Sequence, residues 1–436
     1  MSPDPIRPLT LATSDPAFDD ALTAFMATKR DHDADVSATV AEIIAEVRAR
    51  GDEAVAAFTA RFDGFDPSEK GLSVPASAMD EALEACPEEV RKALTIAAGR
   101  IRAYHEHQYP EDFRMTDGSG VELGHRWTPV DAVGIYVPGG KAAYPSSLLM
   151  NAVPARVAGV ERVVMTVPTP GGTLNPVILA AAAIAGVTEI HTIGGAQAVA
   201  ALAYGTKNIR PVDQIVGPGN AYVSTAKRQV FGQVGIDLLA GPSEIVVVAD
   251  RDNDPVWIAI DLLSQAEHDE AARSVLVTDD AEFAQAVLAA VDEHLASLPR
   301  GPVASASWRD HGAVILVRDM DEAADVVNRL APEHLEIATA DPDALAERIR
   351  HAGAIFLGRH TPEAIGDYVA GTNHVLPTGG AARFASGLSV LDFMKRTSLV
   401  RCSPDALQAI GPAAVTLATE EGLGAHARSV AIRFSQ

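Results

Sequence analysis

An acidic side chain and an imidazole stand next to each other at Glu333 and His334, in the segment PEHL. The apolar residues that follow predict a strand, so the pair lies where a strand begins. Imidazole titrates near neutral pH and burial raises the pKa of a carboxyl, so such a pair can divide proton-transfer work. A polar edge of an ordinary loop uses the same residue types, and the segment alone leaves both interpretations open.

A second segment, LLSQAEHD, contains groups that can ligate a metal. Gln265 and His268 are three positions apart, which predicts that they share one face of a helix and could hold a metal together. Glu267 is one position off that face and is expected to be exposed. An ordinary polar helix face also explains this spacing, and for the segment by itself it is the favoured interpretation.

Two segments nearer the C-terminus mix glycine with acidic residues and histidine. GDYVAGTNHVLPT, residues 366 to 378, contains Asp367 and His374 without clear periodicity, and EEGLGAH contains Glu421 and His426. Loops of this composition often carry functional sites. Turn chemistry selects the same residue types, and a helical tail can hold a glutamate and a histidine for structural reasons only.

Glycine-rich turns follow three of the predicted strands and run directly into helices. They are VPGG (137–140), IGGAQ (193–197) and VGPGN (216–220). Backbone N–H groups at such turns suit an anion such as a pyrophosphate, and ligands gather at the carboxyl ends of strands in open α/β sheets. The dinucleotide fingerprint itself is absent, because Tyr222 stands where GPGNAY would need Gly or Ala. Each turn alone is typical of an ordinary strand-to-helix connection; three of them on one sheet leave a ligand site and ordinary connections both open.

Short β-branched runs alternate with Ala-rich helical stretches over residues 131 to 250 and again after residue 255. The predicted strands are AVGIYV, ERVVMTV, TEIHTIG, VDQIVG, EIVVVAD, RSVLVT, AVILVR, HLEIAT and AGAIFLG. Continuous apolar strands separated by helices predict parallel sheets that are covered on both faces. We therefore expect two α/β units, preceded by helices over 34–64 and 77–108 and followed by a small, mainly helical tail.

The composition excludes several classes of protein. The chain has 436 residues, and its 35 Lys+Arg against 58 Asp+Glu give a net charge of −23, which argues against nucleic-acid binding. Its two cysteines, Cys86 and Cys402, cannot form a disulfide framework. The longest apolar run, 178–187, is about half the length of a membrane span. We expect a cytoplasmic protein that binds neither nucleic acid nor membrane.

Taken together, the motifs resemble the histidinol dehydrogenase family, over about residues 20 to 430. The segments that carry the resemblance are YVPGGKAAYPSSLLMNAVPARVAGV, GGAQAVAALAYGT, GPGNAYVSTAKRQVFG, AGPSEIVVVAD, DLLSQAEHD, APEHLEI, GDYVAGTNHVLPT and EGLGAH. The resemblance implies two incomplete Rossmann-like domains. We expect an N-terminal arm over 1–30, a first α/β domain over 31–127 and 245–378 with the metal and catalytic residues, an NAD-binding domain over 128–244, and a small C-terminal domain over 379–436.

The resemblance also implies an activity: oxidation of L-histidinol through the aldehyde to L-histidine, with two NAD, at the last step of histidine biosynthesis. Family members need one zinc ion per subunit, and its ligands match Gln265, His268, Asp367 and His426. Glu333 and His334 match the catalytic pair, in which His takes the hydroxyl proton and Glu activates water. Because neither cysteine lies in a matching motif, hydration of the aldehyde is expected to replace thiolate chemistry.

Family positions that contact the substrate match the zinc ligands and four further residues, Ser243, His334, His374 and Glu421. The positions assigned to NAD match Tyr136, Gln197 and Asn220, on or beside the three glycine-rich turns. Family members are homodimers, and the C-terminal tail carrying Glu421 and His426 would complete the neighbouring subunit's site. This assembly explains a tail that is too short to fold alone.

Three alternatives compete with this interpretation. A dehydrogenase of the same fold could act on another polar alcohol, since fold does not determine substrate. A metal-dependent hydrolase without a redox role would use similar ligands and a similar water-activating glutamate. A non-catalytic binding protein is disfavoured by the intact Glu333 and His334 pair.

Overall fold

A computed structural model describes residues 7–28, 36–64, 71–139, 144–239 and 241–434. Within these ranges the strands are β1 (Leu9–Ala12), β2 (Phe113–Thr116), β3 (Glu122–Pro129), β4 (Ala132–Tyr136), β5 (Arg162–Thr166), β6 (Glu189–His191), β7 (Gln214–Val216), β8 (Gly235–Ile236), β9 (Glu244–Ala249), β10 (Arg273–Thr278), β11 (Ala313–Leu316), β12 (His334–Ala338), β13 (Ala354–Leu357) and β14 (Met394–Arg401).

The helices of the described residues are α1 (Phe18–Ala27), α2 (Ser37–Arg50), α3 (Asp52–Asp63), α4 (Ala76–Ala85), α5 (Glu88–Glu106), α6 (Pro145–Val157), α7 (Pro176–Ala185), α8 (Gly195–Tyr204), α9 (Ala221–Val230), α10 (Pro255–Ala266), α11 (Ala281–Leu295), α12 (Gly301–His311), α13 (Met320–Leu330), α14 (Pro342–Ala346), α15 (Glu363–Ile365), α16 (Pro404–Glu420) and α17 (Gly424–Ala431). Throughout these ranges, a helix both long and apolar enough to cross a membrane is not found.

Two parallel sheets form the body of the protein, as the apolar strand pattern predicts. The first sheet has the order β1-β11-β10-β9-β12-β13, and the second sheet has the order β6-β5-β4-β7-β8. The central strands β9 and β10 of the first sheet are fully buried, because helices cover both faces. All nine strands expected from the sequence are confirmed, and so is the α/β fold class.

A third, antiparallel sheet has the order β14-β3-β2 and was not expected from the sequence. Its strand β14 pairs with β3 from Met394 opposite Pro129 to Arg401 opposite Glu122. Strands β2 and β3 form a hairpin whose turn begins at Asp117 and Gly118, a turn signal that our sequence analysis did not use. Strand β14 lies far from β3 in the sequence, and both β2 and β14 are largely exposed, so no strong apolar alternation marks them.

The helices that open the chain pack on the second sheet's helices. The apolar stripe of α2 is Val40, Ile43, Ile44 and Val47, and it contributes to one core with α8 and α9. Helix α4 contacts α7, and α5 contacts α6 and α7. The apolar faces in 36–106 therefore cover the unit of residues 128–244, whereas our expectation grouped 31–127 with the first sheet.

The described part of the expected N-terminal arm, residues 7–28, belongs to the first sheet. Strand β1 pairs in parallel with β11, and Phe18, Leu22 and Phe25 lie in the core with the strands of this sheet. Residues 1–6 and 29–30 of the arm lie outside the described ranges.

A short link joins the two parallel sheets. Strand β8 ends at Ile236 and β9 begins at Glu244, so residues 237–243 connect the carboxyl edge of the second sheet to the amino edge of the first. A link of this length spans less than about 30 Å. The carboxyl end of β8 therefore lies within this distance of the amino edge of the first sheet.

Candidate active site

Acid–base groups meet at the amino edge of the first sheet. Glu333 directly precedes β12 and His334 is its first residue, and both side chains are buried. The backbone of Glu244 on β9 holds both of them: its N–H donates to Oε2 of Glu333 at 2.9 Å, and its carbonyl oxygen lies 2.9 Å from Nδ1 of His334. Because a carbonyl can only accept, Nδ1 carries the proton, and Nε2 is left to face the site.

Two carboxylates stand beside that free nitrogen. Nε2 of His334 lies 3.6 Å from Oδ1 of Asp367 and 3.7 Å from Oε1 of Glu363, and ligand atoms of the three residues all lie within 4.8 Å of one another. These three atoms and Oε1 of Gln265 are buried and have no hydrogen-bond partner among the described residues. Buried polar atoms without partners are rare, so the cluster has the character of a ligand site.

Glu363 was not among the residues expected from the sequence. It begins α15, and Asp367 follows four residues later, in a π-helical turn over Gly366–Ala370. The backbone N–H of Glu363 donates to the carboxylate of Glu336 on β12, which fixes the start of this helix against the strand. The spacing of four residues in PEAIGD, one helical turn, was the signal that could have found it.

The pKa values of the cluster differ because burial and charge oppose each other. Burial raises the pKa of Glu333 to about 7, and it raises that of Glu363, beside the Asp367 charge, to about 8. Burial alone would lower the pKa of His334, but the charges of Glu333, Asp367 and Glu363 outweigh it and raise the value to about 10. For Asp367 burial is outweighed by the His334 and His374 imidazoles, which hold its pKa at about 2.

The raised pKa of Glu363 predicts a pH-dependent effect of Glu363→Gln on stability. The folded chain keeps a proton on this carboxyl up to about pH 8, whereas the unfolded chain releases it near pH 4.5. The carboxyl's contribution to stability is therefore complete below pH 4.5 and is lost as the pH rises through 8. Glutamine resembles the protonated form, so the variant should melt a few degrees above the parent at pH 9 and together with it near pH 4.5.

Thermal melts of both proteins in chelator, at the two pH values, measure this difference. Glu347→Gln is the matched control, because Glu347 is exposed and lies outside the cluster. A variant that melts below the parent at pH 9 would contradict the raised pKa of the Glu363 carboxyl.

The other residues expected at the site lie around the cluster. Gln265 is on α10, and its Nε2 lies 3.4 Å from Nδ1 of His334. Helix α10 ends at Ala266, so His268 lies beyond it. The expectation that Gln265 and His268 share one face of a helix is therefore wrong. His268 as a whole is exposed, yet desolvation by neighbouring protein atoms lowers the pKa of its imidazole. The charge of His334 lowers this pKa further, and the charge of Asp367 opposes the change.

His374 and Ser243 lie on the loops that border the cluster. Nδ1 of His374 donates to the backbone oxygen of Asp367 at 3.1 Å, and burial lowers the pKa of this imidazole. Ser243 directly precedes β9, and its backbone oxygen accepts from the N–H of Arg273 at 2.9 Å. Both residues therefore belong to the same edge of the first sheet as Glu333.

The tail residues Glu421 and His426 are exposed and lie apart from the cluster in the single chain. In the described part of the chain, α17 makes its main contacts with α16 and with the turn over Ile432–Phe434. The single chain thus brings together Gln265, Glu333, His334 and Asp367, but not the tail.

The three residues expected to contact NAD lie at the carboxyl edge of the second sheet. The buried Tyr136 hydroxyl accepts from the N–H of Gly195 at 3.1 Å, and burial raises its pKa to about 12. Gln197 on α8 is buried, and its Oε1 lacks a partner among the described residues. Asn220 caps α9 by accepting from the N–H groups of Tyr222 and Val223. Of the first turn, Gly140 lies outside the described ranges.

The glycines of two of these turns lie where a side chain would collide with a neighbouring residue. A Cβ on Gly139 would lie 2.5 Å from the carbonyl oxygen of Pro168, and one on Gly194 would lie 2.4 Å from Cβ of Pro168. Both turns therefore require glycine, because their backbone packs directly against Pro168. Two parallel sheets, one with buried acid–base groups at its amino edge and the other with glycine-rich turns at its carboxyl edge, define an α/β enzyme.

Comparisons with known proteins agree with the motifs. The model of the histidinol dehydrogenase family matches residues 26–434. The chain is 62% identical over 421 residues to histidinol dehydrogenase of Rhizobium meliloti, with 97% of each chain covered, and 61% identical over 430 residues to that of Rhodospirillum rubrum, with 98% of this chain and 99% of the relative covered.

A solved structure agrees as well. The crystal structure of histidinol dehydrogenase from Elizabethkingia anophelis superimposes with a TM-score of 0.93 at 32% identity and covers 98% of both chains. The chain belongs to the histidinol dehydrogenase family and is an oxidoreductase. The resemblance drawn from the sequence motifs is thereby confirmed.

Proposed function

We propose that the protein oxidises L-histidinol through L-histidinaldehyde to L-histidine, with two NAD and one zinc ion per subunit, at the last step of histidine biosynthesis in the cytoplasm. The observation that carries the proposal is the cluster of Gln265, His334, Glu363 and Asp367, each of which has one buried polar atom without a hydrogen-bond partner within the described ranges. In a family of dehydrogenases, such a cluster at the edge facing the glycine-rich turns supports an alcohol-oxidising site.

The residues of the cluster fit a zinc ion. The oxygen donors of Gln265 and Asp367 and the imidazole nitrogen of His268 would form a mixed set that suits zinc, and neighbouring divalent ions can substitute. His426 from another subunit would complete the set. When bound, zinc would orient the imidazole and amine of the substrate and polarise its oxygen. A dication there would also oppose the carboxylate charges and lower the pKa of His334.

The glycine-rich turns fit a nucleotide. The glycine-rich turns at Gly139 and Gly194, the Oε1 of Gln197 without a partner among the described residues, and the start of α9 at Asn220 all lie at one edge of the second sheet. Together with Tyr136, which anchors the turn at Gly195, they would bind NAD without the usual fingerprint. Each NAD, when bound, would accept one of the two hydrides.

His334 and Glu333 would then perform the proton transfers. The carbonyl of Glu244 holds the Nδ1 proton of His334, so Nε2 accepts the hydroxyl proton of the alcohol as hydride leaves the carbon. Burial brings the pKa of Glu333 to about 7, which allows it to take a proton from water that adds to the aldehyde. The hydrated aldehyde would lose the second hydride together with a hydroxyl proton, which passes to solvent, and become the acid.

The ratio of NADH formed to L-histidinol consumed tests the proposal. The zinc-loaded enzyme should form two NADH per histidinol, lose this activity in chelator and regain it with zinc. One NADH per substrate would favour a dehydrogenase of another alcohol. Hydrolysis without NADH formation would favour a metal-dependent hydrolase.

A homodimer with shared sites is the second part of the proposal. The C-terminal helices expose Ile410, Leu417 and Leu423, and the antiparallel sheet exposes Phe113 and Val400. Apolar surface of this extent at a tail that packs mainly on itself supports burial against a second copy of the chain. In that dimer Glu421 and His426 would reach the neighbour's cluster.

Mixed dimers test whether the sites are shared. His426→Ala and Glu333→Gln subunits are each expected to make no histidine alone. A mixed dimer would have one intact site, with Glu333 from one subunit and His426 from the other, so mixing with subunit exchange should restore histidine formation. Two variants of one residue, His426→Ala and His426→Gln, are the control and should not complement. Failure to complement in verified mixed dimers would place His426 in its own subunit's site.

A further inference from the structure

A buried ion pair lies beneath the third glycine-rich turn. Lys227 on α9 and Asp237, directly after β8, have side chains that are only 3% exposed. Nζ of Lys227 pairs with Oδ1 of Asp237 and also donates to the carbonyl oxygens of Gly217 at 3.0 Å and Leu238 at 3.1 Å. The three hydrogens of the ammonium group thus have three acceptors.

The pair holds both hydrogen-bonding groups of Gly217. The N–H of this residue donates to Oδ2 of Asp237 at 2.7 Å, and its carbonyl accepts from Lys227. Gly217 has a φ of +108°, and a Cβ there would lie 2.2 Å from the carbonyl oxygen of Tyr136. Only glycine fits, and because glycine has the greatest backbone freedom, these hydrogen bonds are what keep the turn in one conformation.

The same pair holds the start of the link between the sheets. Asp237 and Leu238 begin the segment 237–243, which leads to Glu244, whose backbone anchors Glu333 and His334. On the other side, the turn that contains Gly217 leads to Asn220 and α9. One ion pair therefore ties the nucleotide side of the molecule to the segment that enters the acid–base cluster.

Stability alone does not explain this arrangement. Removing two charges from water is costly, and apolar side chains of similar volume often stabilise a core at least as well. Apolar side chains could not bind the N–H and C=O of Gly217 or the C=O of Leu238. What the pair uniquely provides is the backbone geometry of the turn and of the link.

We propose that Lys227 and Asp237 are positioning residues that lock the turn over 216–220 to the start of the link and so set where the nucleotide lies relative to Glu333 and His334. The inference rests on the proposed NAD dependence. Loosening the pair should weaken nucleotide binding and leave L-histidinol binding, which depends on the first sheet's edge, nearly unchanged.

Lys227→Met and Asp237→Asn, in the zinc-loaded enzyme, test the proposal. NADH binding measured by fluorescence titration should weaken about tenfold or more in both, since small misplacements of a bound group have effects of this size. The KM for L-histidinol should change by less than about twofold. Hydrogen exchange at the Gly217 amide should become faster, which reports on the turn without any ligand.

Arg162→Met is the matched control. Arg162 forms a partly buried ion pair with Glu189 at 2.8 Å, at the opposite, amino edge of the same sheet. This variant should lower the melting temperature but bind NADH like the parent. Unchanged NADH binding in the Lys227 and Asp237 variants, or failure of both to fold while Arg162→Met folds, would overturn the proposal. A parent enzyme that does not bind NADH would instead refute the proposed function, whatever the exchange rate at Gly217.

Discussion

Glu333→Gln should stop the reaction of the zinc-loaded enzyme at the aldehyde. Glutamine keeps an oxygen that can accept from the N–H of Glu244, so the strand edge and His334 should stay in place. It cannot take a proton from water, and loss of a general base typically costs about 10²- to 10⁴-fold in rate. The second oxidation should slow by that factor, and the yield should fall from two NADH per histidinol towards one.

Rapid-mixing measurements of NADH formation, with trapping of the aldehyde, separate the two oxidations. The first oxidation in the same variant is the internal control, because it depends on His334 and should change little. If the variant oxidises added aldehyde at the parent's rate, Glu333 is not the group that activates water.

Asp367→Asn is expected to remove zinc from the enzyme and with it nearly all activity. Asp367 contributes a buried, charged oxygen, and its pKa of about 2 keeps it ionised throughout the working range. Asparagine has the same shape without the charge, so metal affinity should fall by about 100-fold or more. His268→Ala should act in the same direction.

Elemental analysis after dialysis, followed by zinc titration against a coloured chelator, measures this loss. Asp250→Asn is the matched control, because Asp250 lies beyond the opposite end of β9 and pairs with Arg359 at 2.7 Å. It should retain one zinc per subunit. Full zinc content in Asp367→Asn would remove this residue from the ligand set.

Local patterns in the sequence were sufficient to predict nine strands and several residues of the candidate site. Runs such as EIVVVA and HLEIA are short and mainly apolar, and every residue in them is buried. The Glu333 and His334 pair was visible because its two members are adjacent in the chain. The glycine-rich turns were visible because few other residues fit there, as Gly194 against Pro168 shows.

Long-range contacts decided the rest. The antiparallel sheet joins β14 to β3 over most of the chain length, and local periodicity contains no information on such a pairing. The apolar stripe of α2 predicted a buried face but not the partner, which is α8 rather than the first sheet. The helix expected to carry both Gln265 and His268 ends between them, at Ala266.

Glu363 shows most clearly where sequence reasoning ends. By itself it is one glutamate among many in an acidic chain, at the start of a short helix. Its burial, and the position of its oxygen 3.7 Å from His334, follow from the packing of that helix against β12 through Glu336. Nine strands, the glycine-rich turns and the adjacent Glu333 and His334 could be predicted, because these features depend on neighbours in the chain. The carboxylates around His334 could not be predicted, because burial and charge at that point arise from elements that are distant in the sequence and meet only in the folded chain.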